Sequence, residues 1–107
     1  MNRSISPSEL KLLLENRKTI LLLDVRRRVD YDTDGQKIPG AAWLDPERLT
    51  QWSTALPLDR EIVIYCARGG SVSNSVVDQM KARGVKARFI EGGIEAWKQA
   101  GGEIVPK

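Results

Sequence analysis

Apolar residues along this chain follow two alternating periods. Ile20-Leu21-Leu22-Leu23 and Ile62-Val63-Ile64-Tyr65 are short unbroken apolar runs, the pattern of strands buried on both faces of a sheet. Val85–Ile90 reads as a further short strand. Elsewhere the spacing becomes helical. Leu10, Leu13 and Leu14 are the apolar positions of a first helix, and Val72, Val76, Val77 and Met80 form one stripe of another. The first helix carries its own start signals: Ser6 as cap, Pro7 in the first turn, Glu9 completing a capping box, and Ile5 and Leu10 placed as a hydrophobic staple. It is predicted to end near Asn16 and to bury all three leucines. Thr19–Val25 follows as a central strand.

The remaining boundaries come from turn residues. Asp32-Thr33-Asp34-Gly35 is a turn cluster. Ile38–Leu44 enters a short strand with Pro39 at its start, where no ladder N–H is lost. Asp45-Pro46-Glu47 begins a short helix through Trp52, and Pro57 and Asp59 mark the loop into the Ile62 strand. The helix from Ser71 to Arg83 is capped by Gly84. Gly92-Gly93 turns the chain into a last helix, whose Trp97 reads as core. Strand and helix patterns alternate without repeats, linkers or low-complexity segments. That predicts an α/β fold over residues 1–107 as one domain, with a mostly parallel central sheet of about five strands, helices on both faces and right-handed crossovers.

Composition narrows the chemistry. The chain has 107 residues, 41% of them hydrophobic and 29% charged, in the range of a globular protein with its own core. Seventeen basic against fourteen acidic residues give a net charge of +3, a mild attraction for anions. The basic residues are interspersed with acidic ones, which argues against nucleic acid as a partner. The densest basic run, Arg26-Arg27-Arg28, reads as a solvated loop after a strand. Apolar runs are too short for a membrane span and no targeting segment is visible, so the sequence reads as cytoplasmic. There is no histidine and one cysteine, which removes Cys-His dyads, internal disulfides and structural zinc sites and fits a reducing compartment. No cofactor or metal is expected.

That cysteine, Cys66, sits where the Ile62 strand stops. Ala67-Arg68-Gly69-Gly70-Ser71 follows and opens the next helix. A loop that curls ahead of a helix can aim several N–H groups at one point, and Gly69 and Gly70 permit the positive φ values this needs. Helix dipole, amides and the Arg68 charge all favour an anionic sulfur there. No carboxylate is evident in the loop sequence to oppose Arg68, which reads as the cation that attracts a dianionic substrate. Asp24 and Arg26 end the preceding strand on one side of it, and Arg26 is placed either to reach an anion or to hold structure.

Cys66-Ala67-Arg68-Gly69-Gly70-Ser71 resembles the active-site loop of the rhodanese (sulfurtransferase) family, Cys-x-x-Gly-x-Arg/Ser/Thr. Leu23-Asp24-Val25-Arg26, then Asp30-Tyr31 and Ile38-Pro39-Gly40-Ala41, is similar to that family's N-terminal motif. Gly92-Gly93-Ile94-Glu95-Ala96-Trp97 with Ala100-Gly101-Gly102 is similar to its C-terminal motif. The family usually has Gly-His ahead of Ile-Pro-Gly-Ala; here Gln36-Lys37 stands there after a slightly longer stretch, a change in a loop. The resemblance implies the rhodanese fold, ion pairs of Asp24 and Arg26 that pin neighbouring loops, and Cys66 as nucleophile within a substrate cradle of Ala67, Arg68, Gly69, Gly70 and Ser71.

It also implies the reaction. Sulfane sulfur moves from thiosulfate or another small-molecule donor to Cys66, then to cyanide, a thiol or a sulfur-accepting protein. Two other classes share this fold. Cys-based phosphatases and arsenate reductases need an Arg at the sixth position after the cysteine, where this chain has Val72. Non-enzymatic rhodanese-like binding modules have lost the cysteine that this chain retains.

Overall fold

A computed structural model describes residues 3–16 and 19–107. In chain order the strands are β1 (Ser4–Ile5), β2 (Ile20–Asp24), β3 (Gln36–Lys37), β4 (Ala42–Trp43), β5 (Glu61–Tyr65), β6 (Lys86–Ile90) and β7 (Val105–Pro106). The α-helices are α1 (Pro7–Glu15), α2 (Arg28–Thr33), α3 (Leu49–Trp52), α4 (Ser71–Ala82) and α5 (Gly93–Gln99), with 3-10 turns flanking α3. Five strands form one parallel sheet in the order β1-β6-β5-β2-β4. β3 and β7 form a separate antiparallel pair. The predicted α/β architecture with a five-stranded parallel sheet is the one observed.

Strand alternation divides the core in two. On one face Leu22, Val63, Tyr65 and Ile90 pack with Leu10 of α1 and with Ile94 and Trp97 of α5. On the other, Leu23, Ile62 and Ile64 pack with Leu49 of α3 and with Val76, Val77 and Met80 of α4. β5 is buried from Ile62 to Tyr65 because it has neighbours on both edges and helices on both faces. Each of these side chains removed from water stabilises the fold by about 1.5–3 kcal/mol.

The first helix begins as its sequence predicts: the Ser6 hydroxyl accepts from the Glu9 amide at 3.1 Å, and the Glu9 carboxylate accepts from the Ser6 amide at 3.3 Å. Only Leu10 is fully buried in it, however. Leu13 is partly buried and Leu14 is 36% exposed, since a helix lying on a sheet turns a narrow stripe inward. The Thr19–Val25 segment holds β2, which is an interior strand as predicted, paired with β5 on one edge and β4 on the other, although its Ile20 and Leu21 are only half-buried.

Residues 28–33 are helical, where the sequence reads Arg26-Arg27-Arg28 as a solvated loop and Asp32-Thr33-Asp34-Gly35 as a turn cluster. The segment has no apolar stripe to signal a helix, and its Val29 is 69% exposed. Arg27 and Arg28 are exposed as expected, but Arg26 is 1% exposed. The β3–β7 pair is too short for its period to register. Among the described residues no helix is long and apolar enough to cross a membrane.

Candidate active site

β2, β5 and β6 all end on one edge of the sheet, and a cleft of about 730 Å³ opens there. This is where ligands bind in open parallel sheets. Cys66 lies in the cleft wall, 6% exposed, directly after the last residue of β5. The loop then curls so that the Gly69 N–H donates to the Cys66 Sγ at 3.1 Å. That curl needs φ +69° at Gly69, a left-handed conformation natural to glycine. Ala67, Arg68, Gly70 and Ser71 also line the cleft. No side chain caps α4 at Gly70, so its first-turn amides keep their donor capacity.

The C-terminal glycine motif holds this loop from behind. The amides of Ile94 and Glu95 donate to the carbonyls of Cys66 and Ala67 at 3.0 and 3.2 Å, so the loop carbonyls cap the start of α5. Contact is close enough that a Cβ at Gly69 would come within 2.7 Å of the Gly92 nitrogen. One at Gly93 would stand on the Cys66 carbonyl oxygen. Glycines at 69, 92 and 93 are therefore a single packing unit, although more than twenty positions separate Gly69 from Gly92. The sequence places the pair at 92–93 in a turn and in the C-terminal motif, with no sign of its contact with Gly69.

Arg68 differs from its expectation. Its side chain is 83% exposed at the cleft rim, and its Nε donates to Glu95 Oε2 at 3.1 Å. The loop sequence hid this carboxylate because α5 supplies it from 27 positions away. Arg68 is thus neither the sole charged side chain at the cradle nor free of an opposing carboxylate.

The opposite wall is a buried charge network. The Arg26 guanidinium donates to Asp24 Oδ2 at 2.7 Å, to Asp34 Oδ2 at 3.0 Å and to the Gln36 carbonyl at 3.0 Å. Lys98 donates to the same Asp34 oxygen at 2.8 Å. Arg26 also stands 5.4 and 5.7 Å from the ring centres of Tyr31 and Tyr65, and its carbonyl accepts from the Trp43 indole at 2.9 Å. Of the two roles open to Arg26, the geometry displays the structural one. It ties the end of β2 to α2, β3 and β4.

Titration follows this pairing. Burial disfavours charge on Arg26, but the hydrogen bond and charge of Asp24, with Asp34 nearby, outweigh it and raise the pKa. Burial likewise works against charge on Asp34. Hydrogen bonds from Lys98 and the Gln36 amide, and the charges of Lys98 and Arg26, reverse that and lower its pKa. Burial pushes the Tyr65 hydroxyl far above its usual value, with the Asp24 charge adding to the shift. Among the described residues no cluster of three or more carboxylate or thiol side chains converges on a metal position.

A cysteine at a parallel strand end, under a loop whose amide meets its sulfur, defines a class of α/β proteins with a Cys-centred loop. Residues 6–100 match the rhodanese-like domain family, and the chain belongs to it. It is 35% identical over 98 residues to the probable adenylyltransferase/sulfurtransferase MoeZ of Mycobacterium tuberculosis, covering 88% of this chain and 24% of that protein. The chain thus spans about a quarter of that relative's length. It is 30% identical to the thiosulfate sulfurtransferase GlpE of Coxiella burnetii, covering 79% of this chain and 78% of the relative. The crystal structure of a rhodanese-related protein from Thermoplasma volcanium superposes with a TM-score of 0.82 at 26% identity, covering 99% of this chain and all of that one.

Proposed function

We propose that this protein is a sulfurtransferase that carries sulfane sulfur on Cys66. The observation that supports it most directly is the Gly69 amide 3.1 Å from the Cys66 sulfur, at the wall of an open cleft. The Cys66 thiolate attacks the outer sulfur of thiosulfate. A new S–S bond forms to Cys66, the old S–S bond breaks, and sulfite leaves with its electron pair. An acceptor thiolate or cyanide then attacks the outer sulfur of the persulfide and returns Cys66 as thiolate. Both halves are displacements at sulfur, so double-displacement kinetics follow. No general base is needed once the thiol is ionised, which suits a chain without histidine.

The loop amides from Ala67 to Ser71 serve as an anion cradle for the persulfide, in the manner of an oxyanion hole. Arg68 contributes less than the sequence implies, because Glu95 faces it. The six-residue loop holds one sulfur atom and lacks the Arg that clamps a phosphate, with Val72 in that place. A free reactive thiol of this kind works in a reducing compartment such as the cytoplasm. The acceptor is a small thiol, cyanide or a protein cysteine.

Mass spectrometry after incubation with thiosulfate tests the proposal. A gain of about 32 Da, one sulfur atom on the single thiol, is expected and should vanish on adding cyanide. Cys66→Ser should fold normally yet show neither the adduct nor thiocyanate formation. Turnover persisting in a clean Cys66→Ser preparation would refute the persulfide carrier. Aryl-phosphate hydrolysis abolished by Cys66→Ser would move the protein to the phosphatases, and absence of any adduct from thiosulfate or a persulfide donor would make it a binding module.

A further inference from the structure

The charges around the cleft point to a residue outside the cysteine loop as its anion selector. Four cations line the cleft, Arg26, Arg27, Arg68 and Lys98, against three carboxylates, Asp30, Asp34 and Glu95. Three of the cations are taken up internally. Arg26 is buried on Asp24 and Asp34, Lys98 sits 2.8 Å from Asp34, and Arg68 sits 3.1 Å from Glu95. Arg27 is the exposed cleft cation that makes no ion pair within 4.0 Å among the described residues. It also lines an adjoining groove of about 300 Å³ together with Ser71 and Val72, the residues that begin α4. Arg27 thus lines both the cleft that holds Cys66 and the groove beside it.

We infer that Arg27, and not Arg68, selects anionic sulfur donors, by attracting a sulfonate or carboxylate group of the donor as it enters. Asp30, in the first turn of the α2 helix that Arg27 precedes, lines the same cleft without an ion pair among the described residues and tempers the attraction. The effect is therefore that of one exposed charge pair. The inference rests on the proposed role of Cys66 for its meaning in turnover, but the attraction itself is testable without sulfur transfer. Cys66 is the only thiol, so its alkylation by iodoacetate, an anion, can be compared with that by neutral iodoacetamide. The ratio of the two rates cancels thiol ionisation and access and leaves the charge preference.

In Arg27→Gln the iodoacetate to iodoacetamide ratio is expected to fall about three- to fivefold, within what an exposed charge pair supports. Arg27→Lys should restore most of it, and Arg68→Gln should change it less than Arg27→Gln does. Salt of about 1 M, where the screening length is about 3 Å, should bring the wild-type ratio down to that of Arg27→Gln. In turnover, Arg27→Gln should raise KM for thiosulfate by a similar factor with kcat little changed. An unchanged ratio in Arg27→Gln, or an equal or larger drop in Arg68→Gln, would overturn the inference. If the ratio shifts as expected but thiosulfate leaves no sulfur on Cys66, the anion selector stands and the sulfurtransferase reading fails. If sulfur is carried while Arg27→Gln moves neither ratio nor KM, only the role of Arg27 is lost.

Discussion

Gly93→Ala is a direct probe of how the cysteine loop is held. Gly93 opens α5 at φ +64°, and a Cβ there would lie 2.7 Å from the carbonyl carbon and oxygen of Ala67, besides meeting the Cys66 oxygen. These neighbours are backbone, so no side chain can swing away. Two penalties add. A left-handed φ on a residue with a Cβ costs about 1–2 kcal/mol, and forcing a methyl group into a filled space costs about 1–3 kcal/mol. Their sum, about 2–5 kcal/mol, is a large share of the 5–15 kcal/mol typical of a whole domain. Gly101→Ala separates the two, because Gly101 has φ +78° but nothing within 4 Å of the would-be Cβ. At about 4–8 °C per kcal/mol for a chain of this size, Gly93→Ala should melt about 8–40 °C below wild type and Gly101→Ala about 4–16 °C below. Calorimetry measures both. Iodoacetamide reactivity of Cys66, read well below either transition, should change in Gly93→Ala and not in Gly101→Ala. If Gly93→Ala melts no lower than Gly101→Ala, the packing of α5 against the loop does not require a glycine and the reasoning fails.

Two further predictions concern the charged wall. Arg26→Met should cost about 3–5 kcal/mol in denaturant unfolding, because it leaves the Asp24 carboxylate buried without its partner; adding Asp24→Asn should recover part of that loss, and a midpoint equal to wild type in the single variant would refute the pairing. Asp34 has its pKa lowered by folding, so its contribution is complete above the ordinary value of 3.8 and is lost as pH falls through and below that value. The stability difference between wild type and Asp34→Asn should therefore be constant near neutrality and shrink only in acid, and a difference that instead changes between pH 6 and 8 would contradict the assignment.

The fold was legible where one physical signal dominates. Unbroken β-branched runs can be buried only in a covered sheet, which is why β5 and β2 stand out, and Ser6-Pro7-Ser8-Glu9 carries enough capping chemistry to fix the start of α1. The position of Cys66 was legible because a strand, two glycines and a helical stripe follow one another without interruption. What the sequence withheld depends on residues far apart. α2 is a helix held at the surface by its ends and by the Tyr31–Trp43 stack, with ring centres 4.6 Å apart, not by an apolar face. The exposure of Leu14 depends on how α1 lies on the sheet. Glu95 meets Arg68, and Lys98 meets Asp34, only because α5 folds back over the cysteine loop. A run of three arginines likewise conceals three different fates: Arg26 buried in a network, Arg27 lining the cleft, and Arg28 beside Asp32 at 3.6 Å on the surface.

The separation between wall and cradle explains why glycines matter more here than polar side chains. The wall is built from side-chain charges that pair with one another, which leaves little net charge facing the cleft. The proposed cradle relies on main-chain N–H groups, of which the Gly69 amide meets the Cys66 sulfur, and such groups have no rotamers to lose. Backbone donors aim at a point only if the chain takes conformations that a Cβ would forbid, and it does so at Gly69, with Gly92 and Gly93 packed against it. Wall, cradle and brace hang from carboxyl ends of three adjacent strands: the network from β2, the cysteine loop from β5, and the bracing α5 from β6. Parallel pairing with Leu23 opposite Ile64 and Ile64 opposite Phe89 brings those three ends level. The three motifs that are scattered along the sequence therefore become one site through sheet register, with Arg27 the exposed cation of its cleft that makes no ion pair among the described residues.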